Sequence, residues 1–284
     1  MNRSLLRFRA WLWRICGVQP PMITGSHIKE ARDMCGTVVT RDVAVEVADG
    51  RKRSKFTVPI PTQPIVRDDI IRQDVAIVSR RAMLEQPSGL YLYSDRVTDV
   101  GMKELARLQN LRVLSFEGVS VTDAGWKEVA KLQNLTELSL KAVPITDAGL
   151  KDLAQLQNLK CLVLFAIPTV TDAGIMELSQ LRNLNHLMLI GIPVTDAAMR
   201  DVARLKNLEL LTVQCAAVTD AGAKMLTQHE SLRLLDLVGA QVGDGVALAL
   251  AHLPNLKVMR LSRTSITDSG RAALKDALPG CEVY

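Results

Sequence analysis

From residue 97 onward the chain repeats one phrase, I/V-T-D-A-G, then a helix-like run, then L-x-x-L-x-L, opening at Val97, Val121, Ile145, Val170, Val194, Val218, Val242 and Ile266. The Asp of the phrase falls at Asp99, Asp123, Asp147, Asp172, Asp196, Asp220, Asp244 and Asp268. Six of the seven intervals are 24 residues and one is 25, which places the single insertion around Pro168 and Thr169. A unit this short cannot bury its own apolar face. The units must therefore stack into one continuous core.

Within a unit, the last two leucines of L-x-x-L-x-L (Leu138 and Leu140, Leu162 and Leu164, Leu187 and Leu189) are two apart, the period of a strand with one buried face. The T-D-A-G that follows each strand starts a helix. Thr or Asp can accept from unpaired first-turn N–H groups, Asp suits the positive end of the helix dipole, and the small Gly lets the turn sit close to its neighbour. The spacing predicts helices of about ten residues. They are expected to close at Asn110, Asn134, Asn158, Asn183, Asn207 and Asn255, and at Gly280 in the last unit, through a left-handed residue. Strands stack about 4.8 Å apart and helices about 8 to 10 Å apart, so the stack must bend with the sheet on the concave side.

These phrases resemble the leucine-rich repeat, in the ribonuclease-inhibitor-like α/β class and the bacterial 24-residue V-T-D-A-G-L type. The resemblance covers residues 87–284, and "SGLYLY" supplies the first strand through Leu90 and Leu92. Gly243 stands in place of Thr, Ala198 and Val246 in place of Gly, and Ser231 in place of Asn. The resemblance implies an α/β solenoid with strands on the concave face and helices on the convex face, and it implies protein recognition.

Three regions are expected: a basic N-terminal segment 1–29, a small hairpin-plus-helix region 30–86 capping the solenoid, and a repeat domain 87–284 of about eight units. Val43, Val45 and Val47 alternate on one side of Asp49-Gly50, and Phe56, Val58 and Ile60 on the other, which is a hairpin signal with "RKRSK" (51–55) as a solvated tip. Residues 60–86 read as a helix through Ile71, Val75, Val78 and Ala82, the polar cover that a solenoid end needs. The net charge of +5 belongs to the front: residues 1–96 hold 16 Lys/Arg against 10 Asp/Glu, the rest 19 against 20. Residues 1–29 contain Arg3, Arg7, Arg9, Arg14 and Lys29 with Phe8, Trp11 and Trp13 and no acid. That composition makes attachment to an anionic membrane surface, or less readily to nucleic acid, the alternative functional class. With 48% hydrophobic and 23% charged residues the chain reads as soluble, and its five widely spaced cysteines read as free thiols in a cytoplasmic setting, peripheral to a membrane in the alternative.

No metal-ligand spacing, P-loop, serine elbow or dinucleotide fingerprint is present, so the expectation is a non-enzymatic protein with no cofactor and no metal. The Asp column does not read as a metal site, because neighbouring helix starts are about 10 Å apart. If the strand leucines face the core, the alternate positions face outward from the concave sheet. Cys161, Val163, Phe165, His186, Met188, Ile190 and Leu210 then form a contiguous apolar set of roughly 300 Å². Glu137 and Lys141 flank it on one side, Asp236 and Arg260 on the other, with Tyr91 and Thr212 on the same face. The expected function is a scaffold that binds a protein partner there, anchored by Phe165 and Met188.

Overall fold

In a computed structural model, residues 43–49, 52–58, 88–93 and 97–284 are described. The chain divides into two compact units, residues 1–62 and 63–284. In the first, β1 (Val43–Asp49) pairs antiparallel with β2 (Lys52–Val58), Val43 opposite Val58 and Asp49 opposite Lys52. Lys52, Arg53, Ser54 and Lys55 are therefore strand residues, which corrects the expectation of a turn over these four positions. The proposed helix over 60–86 and the basic segment 1–29 lie outside the described residues.

The second unit carries a nine-stranded parallel sheet in chain order. Its strands are β3 (Gly89–Tyr93), β4 (Val113–Glu117), β5 (Glu137–Lys141), β6 (Cys161–Phe165), β7 (His186–Ile190), β8 (Leu210–Gln214), β9 (Leu234–Val238), β10 (Val258–Arg260) and β11 (Glu282–Val283). Between them run α1 (Asp99–Leu105), α2 (Asp123–Val129), α3 (Asp147–Leu153), α4 (Asp172–Leu178), α5 (Asp196–Val202), α6 (Asp220–Met225), α7 (Asp244–Leu250) and α8 (Asp268–Ala277). Register follows the repeat: Glu137 stands beside Cys161, and Cys161 beside His186 across the one longer interval. The extra residue is absorbed in the loop after β6, where the Thr169 hydroxyl donates to the Ile145 carbonyl. The architecture is the α/β solenoid of leucine-rich repeats, with strands on one side and helices on the other.

Inward leucines make one core running the length of the stack: Leu114, Leu138, Leu162, Leu187, Leu211 and Leu235 are at most 1% exposed. Among the described residues aromatic rings enter that core at one place, where the Trp126 and Phe116 rings meet edge to face at 5.0 Å. Most helices span seven residues rather than ten, because the residues that follow turn back at once toward the next strand. The asparagines do not close the helices in left-handed conformation: among the described residues the non-glycine positions with positive φ are Ala142, Ala166 and Arg263, and Gly280 is not in that region either. Instead Asn134, Asn158, Asn183, Asn207 and Asn255 reach sideways, Asn134 Nδ2 donating to the Gln109 carbonyl at 2.8 Å and Asn158 Nδ2 to that of Gln133 at 2.8 Å.

The Asp column is also an inter-unit device. Thr is the N-cap, accepting from the second helical N–H in α3 through α6. The Asp is the first helical residue, and its carboxylate grips the Thr of the next unit: Asp147 Oδ1 accepts from Thr171 N–H at 2.8 Å and Oδ2 from its hydroxyl at 2.6 Å. The same pair of bonds joins Asp99 to Thr122, Asp123 to Thr146, Asp172 to Thr195, Asp196 to Thr219 and Asp244 to Thr267. These bonds hold the Asp244 carboxyl below its ordinary range. In the seventh unit, where Gly243 replaces Thr, only the backbone bond to Asp220 survives, at 2.7 Å. A Cβ at Gly243 would stand 3.7 Å from Asp220 Oδ2, an ordinary contact. Gly243→Thr is expected to add the missing hydroxyl bond and raise stability by about 0.5 to 1.5 kcal/mol. Urea titration checks it; an unchanged midpoint would show that the hydroxyl half of the grip contributes nothing.

Candidate functional site

The sheet face turned away from the helices carries every outward residue named from the sequence. Strands β4 through β8 alternate half-buried and buried positions, with the leucine-type positions inward. Tyr91, Glu137, Cys161, Val163, Phe165, His186, Met188, Ile190, Leu210, Thr212 and Arg260 are all half-buried on this one face. In-register pairing sets Val163 beside Met188, Phe165 beside Ile190, and Met188 beside Thr212. The side chains are packed shoulder to shoulder at strand spacing, so none of this group is among the fully exposed apolar residues.

Toward β3 the face is polar and internally satisfied. Glu117 is the hub, accepting from the Tyr91 hydroxyl at 2.5 Å and from Lys141 Nζ at 2.5 Å. Lys141 Nζ also lies 5.8 Å from the centre of the Phe165 ring. Glu117 was not singled out from the sequence. The signal was there: the 24-residue register places it between Tyr93 and Lys141 in one cross-strand row.

Across β5 to β7 burial governs the titratable groups. The Glu137 carboxyl is pushed above its ordinary range by burial. The Cys161 thiol is pushed up to about 12, by burial first and then by the neighbouring Glu137 charge, so it stays a protonated thiol rather than a nucleophile. His186 is shifted down by burial against the pull of Glu209, which favours a neutral ring. At β9 the structure departs from expectation. Asp236 is not a solvated flanking charge but is 7% exposed, and burial pushes it up to about 6 against the opposing effect of Arg260. Arg260 Nη1 stands 3.9 Å from Asp236 Oδ2, and Asp236 Oδ1 has no hydrogen-bond partner. Among the described residues no group of three His, Cys, Asp or Glu side chains converges as a metal site would require. No described helix is long and apolar enough to cross a membrane.

No protein-family model matches the chain, and no curated protein matches it. Solved structures do. A crystal structure of an internalin (inlC2) from Listeria monocytogenes aligns with a TM-score of 0.60 at 25% identity, over 76% of this chain and 92% of that one. A second internalin (inlF) from the same species aligns with a TM-score of 0.52 at 20% identity, over 72% of this chain. This chain spans 63% of the inlF chain. Parallel strands paired at 24-residue intervals with one interval of 25, a helix between each pair, and the likeness to internalin structures together give this chain the leucine-rich-repeat fold.

Proposed function

We propose that the chain is a non-catalytic scaffold that binds a protein partner on the sheet face at β6 to β8. One observation carries the reading: Val163, Met188, Ile190 and Leu210 stand in adjacent rows on the face opposite the core. The inward leucines already hold the stack together, so the fold has no need of apolar residues there. A flat apolar row bordered by charged residues is the anatomy of a protein contact, with an apolar centre and a polar rim. On this face burial keeps the Cys161 thiol protonated and favours the neutral form of the His186 ring. The free thiols at Cys161, Cys215 and Cys281 accord with a reducing compartment, which we propose as the setting.

The test is affinity capture with the full chain as bait, in parallel with the Val163→Asp/Met188→Asp variant. Charge placed in a desolvated contact should remove a specific partner, a loss of roughly 100-fold or more in affinity. The variant should melt within about 1 kcal/mol of wild type, since both side chains lie outside the core. Retained binding with unchanged melting would place the contact elsewhere.

A further inference from the structure

One register position, directly after the strand in β4 through β9 and three residues past β10, forms a column of its own: Gly118, Ala142, Ala166, Gly191, Cys215, Gly239 and Arg263. Six of these adopt positive φ, from 48° at Ala142 to 71° at Gly239, and in five of the six the N–H bonds to a carbonyl at the end of the next strand or just beyond it. Gly118 N–H bonds to the Lys141 carbonyl at 3.0 Å, Ala142 to Phe165 at 2.9 Å, and Gly239 to Ser262 at 2.9 Å. The repeats are thus their own control, and two members break the pattern.

Cys215 leaves the positive-φ region and its N–H makes no such bond; its thiol instead donates to the Val194 carbonyl at 2.8 Å. Arg263 keeps positive φ, at 58°, where any residue with a Cβ is disfavoured, and its N–H makes no such bond. These two departures, two units apart, line the same cleft of about 250 Å³, with Gln214, Val238, Gly191 and the bare backbone of Gly239. No acidic side chain lines it. Among the described residues the Arg263 guanidinium and the Gln214 amide have neither hydrogen-bond nor ion-pair partners. The cleft gathers polar groups with no protein partner: the guanidinium fork of exposed Arg263, the Gln214 amide, which can donate as well as accept, and the unused Cys215 backbone N–H.

We propose that this cleft receives a carboxylate from an acidic segment of a protein partner. A guanidinium offers two parallel N–H groups to a carboxylate. The volume falls below what encloses a typical small-molecule ligand and suits a single side chain. Arg263 is the informative member of the column: it holds a backbone conformation that a residue with a Cβ disfavours, which is the pattern expected where a site is retained against local stability. The inference stands independently of the apolar row on β6 to β8, since none of the lining residues belongs to it.

The test is a titration of the full chain, ¹⁵N-labelled, with an acetylated tetraglutamate peptide, and with tetraglutamine and inorganic phosphate at matched ionic strength. Saturable shifts at the Cys215 and Ala216 amides and the Arg263 side chain are expected with tetraglutamate alone. Arg263→Gly, which removes the fork, and Cys215→Gly, which lets the ladder bond form and the cleft fill, should each weaken binding roughly 10-fold or more. Arg263→Gly should melt at or above the wild-type temperature, because glycine relieves the positive φ, whereas Cys215→Gly should melt somewhat below it, since it gives up the thiol bond to Val194 and packing against the core. No response to tetraglutamate, an equal response to phosphate, shifts spread over all exposed arginines, or variants that bind as wild type would each overturn the proposal.

Discussion

Gly149→Val is expected to lower the unfolding free energy by about 3 kcal/mol, through overpacking together with the loss of charge-assisted hydrogen bonds. A Cβ at Gly149 would stand 2.5 Å from Asp123 Oδ1 and 2.6 Å from Ile145 Cγ1, so the valine must push the carboxylate away from Thr146 or push the two helices apart. Asp123 currently accepts from Thr146 N–H at 3.0 Å and from its hydroxyl at 2.5 Å, and both bonds depend on that approach. The chain calibrates the size of the effect. Ala198 occupies the equivalent position in the fifth unit, fully buried, while Asp172 keeps both bonds to Thr195 at 2.8 and 2.6 Å. One methyl is therefore absorbed by small shifts, and Gly149→Ala should cost much less. Val246 occupies it in the seventh unit, but there Gly243 has already removed the hydroxyl half of the grip. In the middle of the stack no such concession exists. Equilibrium denaturation compares the two variants; a valine variant as stable as the alanine one would mean that close approach at this column does not set helix spacing.

Asp236→Asn should act in the opposite direction, raising stability at pH 7.5 by about 2 to 3 kcal/mol, on the scale of roughly 1.4 kcal/mol per unit of pKa. The Asp236 carboxyl is raised from 3.8 to about 6 by burial, so the folded state holds a proton that the unfolded chain has already released. Its contribution is fully present below 3.8 and is lost as pH rises through about 6. Asn imitates the protonated form and removes that loss, so the gain should vanish near pH 3.5 to 4. Comparing variant with wild type at each pH isolates the effect. This matters because buried His229, shifted down chiefly by burial, works with the other sign and costs stability as pH falls below its ordinary value of 6.5. Denaturation at pH 4 and pH 7.5 decides it: an equal gain at both would mean that the substitution acts through packing and not through the charge.

Much of the architecture was legible because the repeat is a period. Inward Leu138, Leu162 and Leu187, the parallel register, the loop insertion near Pro168 and the first strand at Leu90 all follow from spacing. Burying one face of a short unit leaves a single way to stack, whatever the atomic detail. The outward identity of Val163, Met188 and Leu210 came the same way, since strand side chains alternate strictly. What spacing could not supply was the partner of each polar group. Asp147 was placed correctly at its helix start, whereas Asn158 was set at a helix end that in fact falls at Leu153, and both were read as serving their own helices. Each in fact bonds to the neighbouring unit, a contact across about 25 residues that no local propensity encodes. The burial of Asp236 escaped for a related reason: its environment is made by Arg260 and by side chains on adjoining strands, not by its own strand's pattern. The cleft beside Arg263 lay further still from view, because it arises where one backbone column changes conformation. The order of residues along the chain determined the stack and which side chains face outward. Only the folded stack decided which carboxylates are gripped, which are buried, and where donors are left without acceptors, because those outcomes depend on contacts between units and not within them.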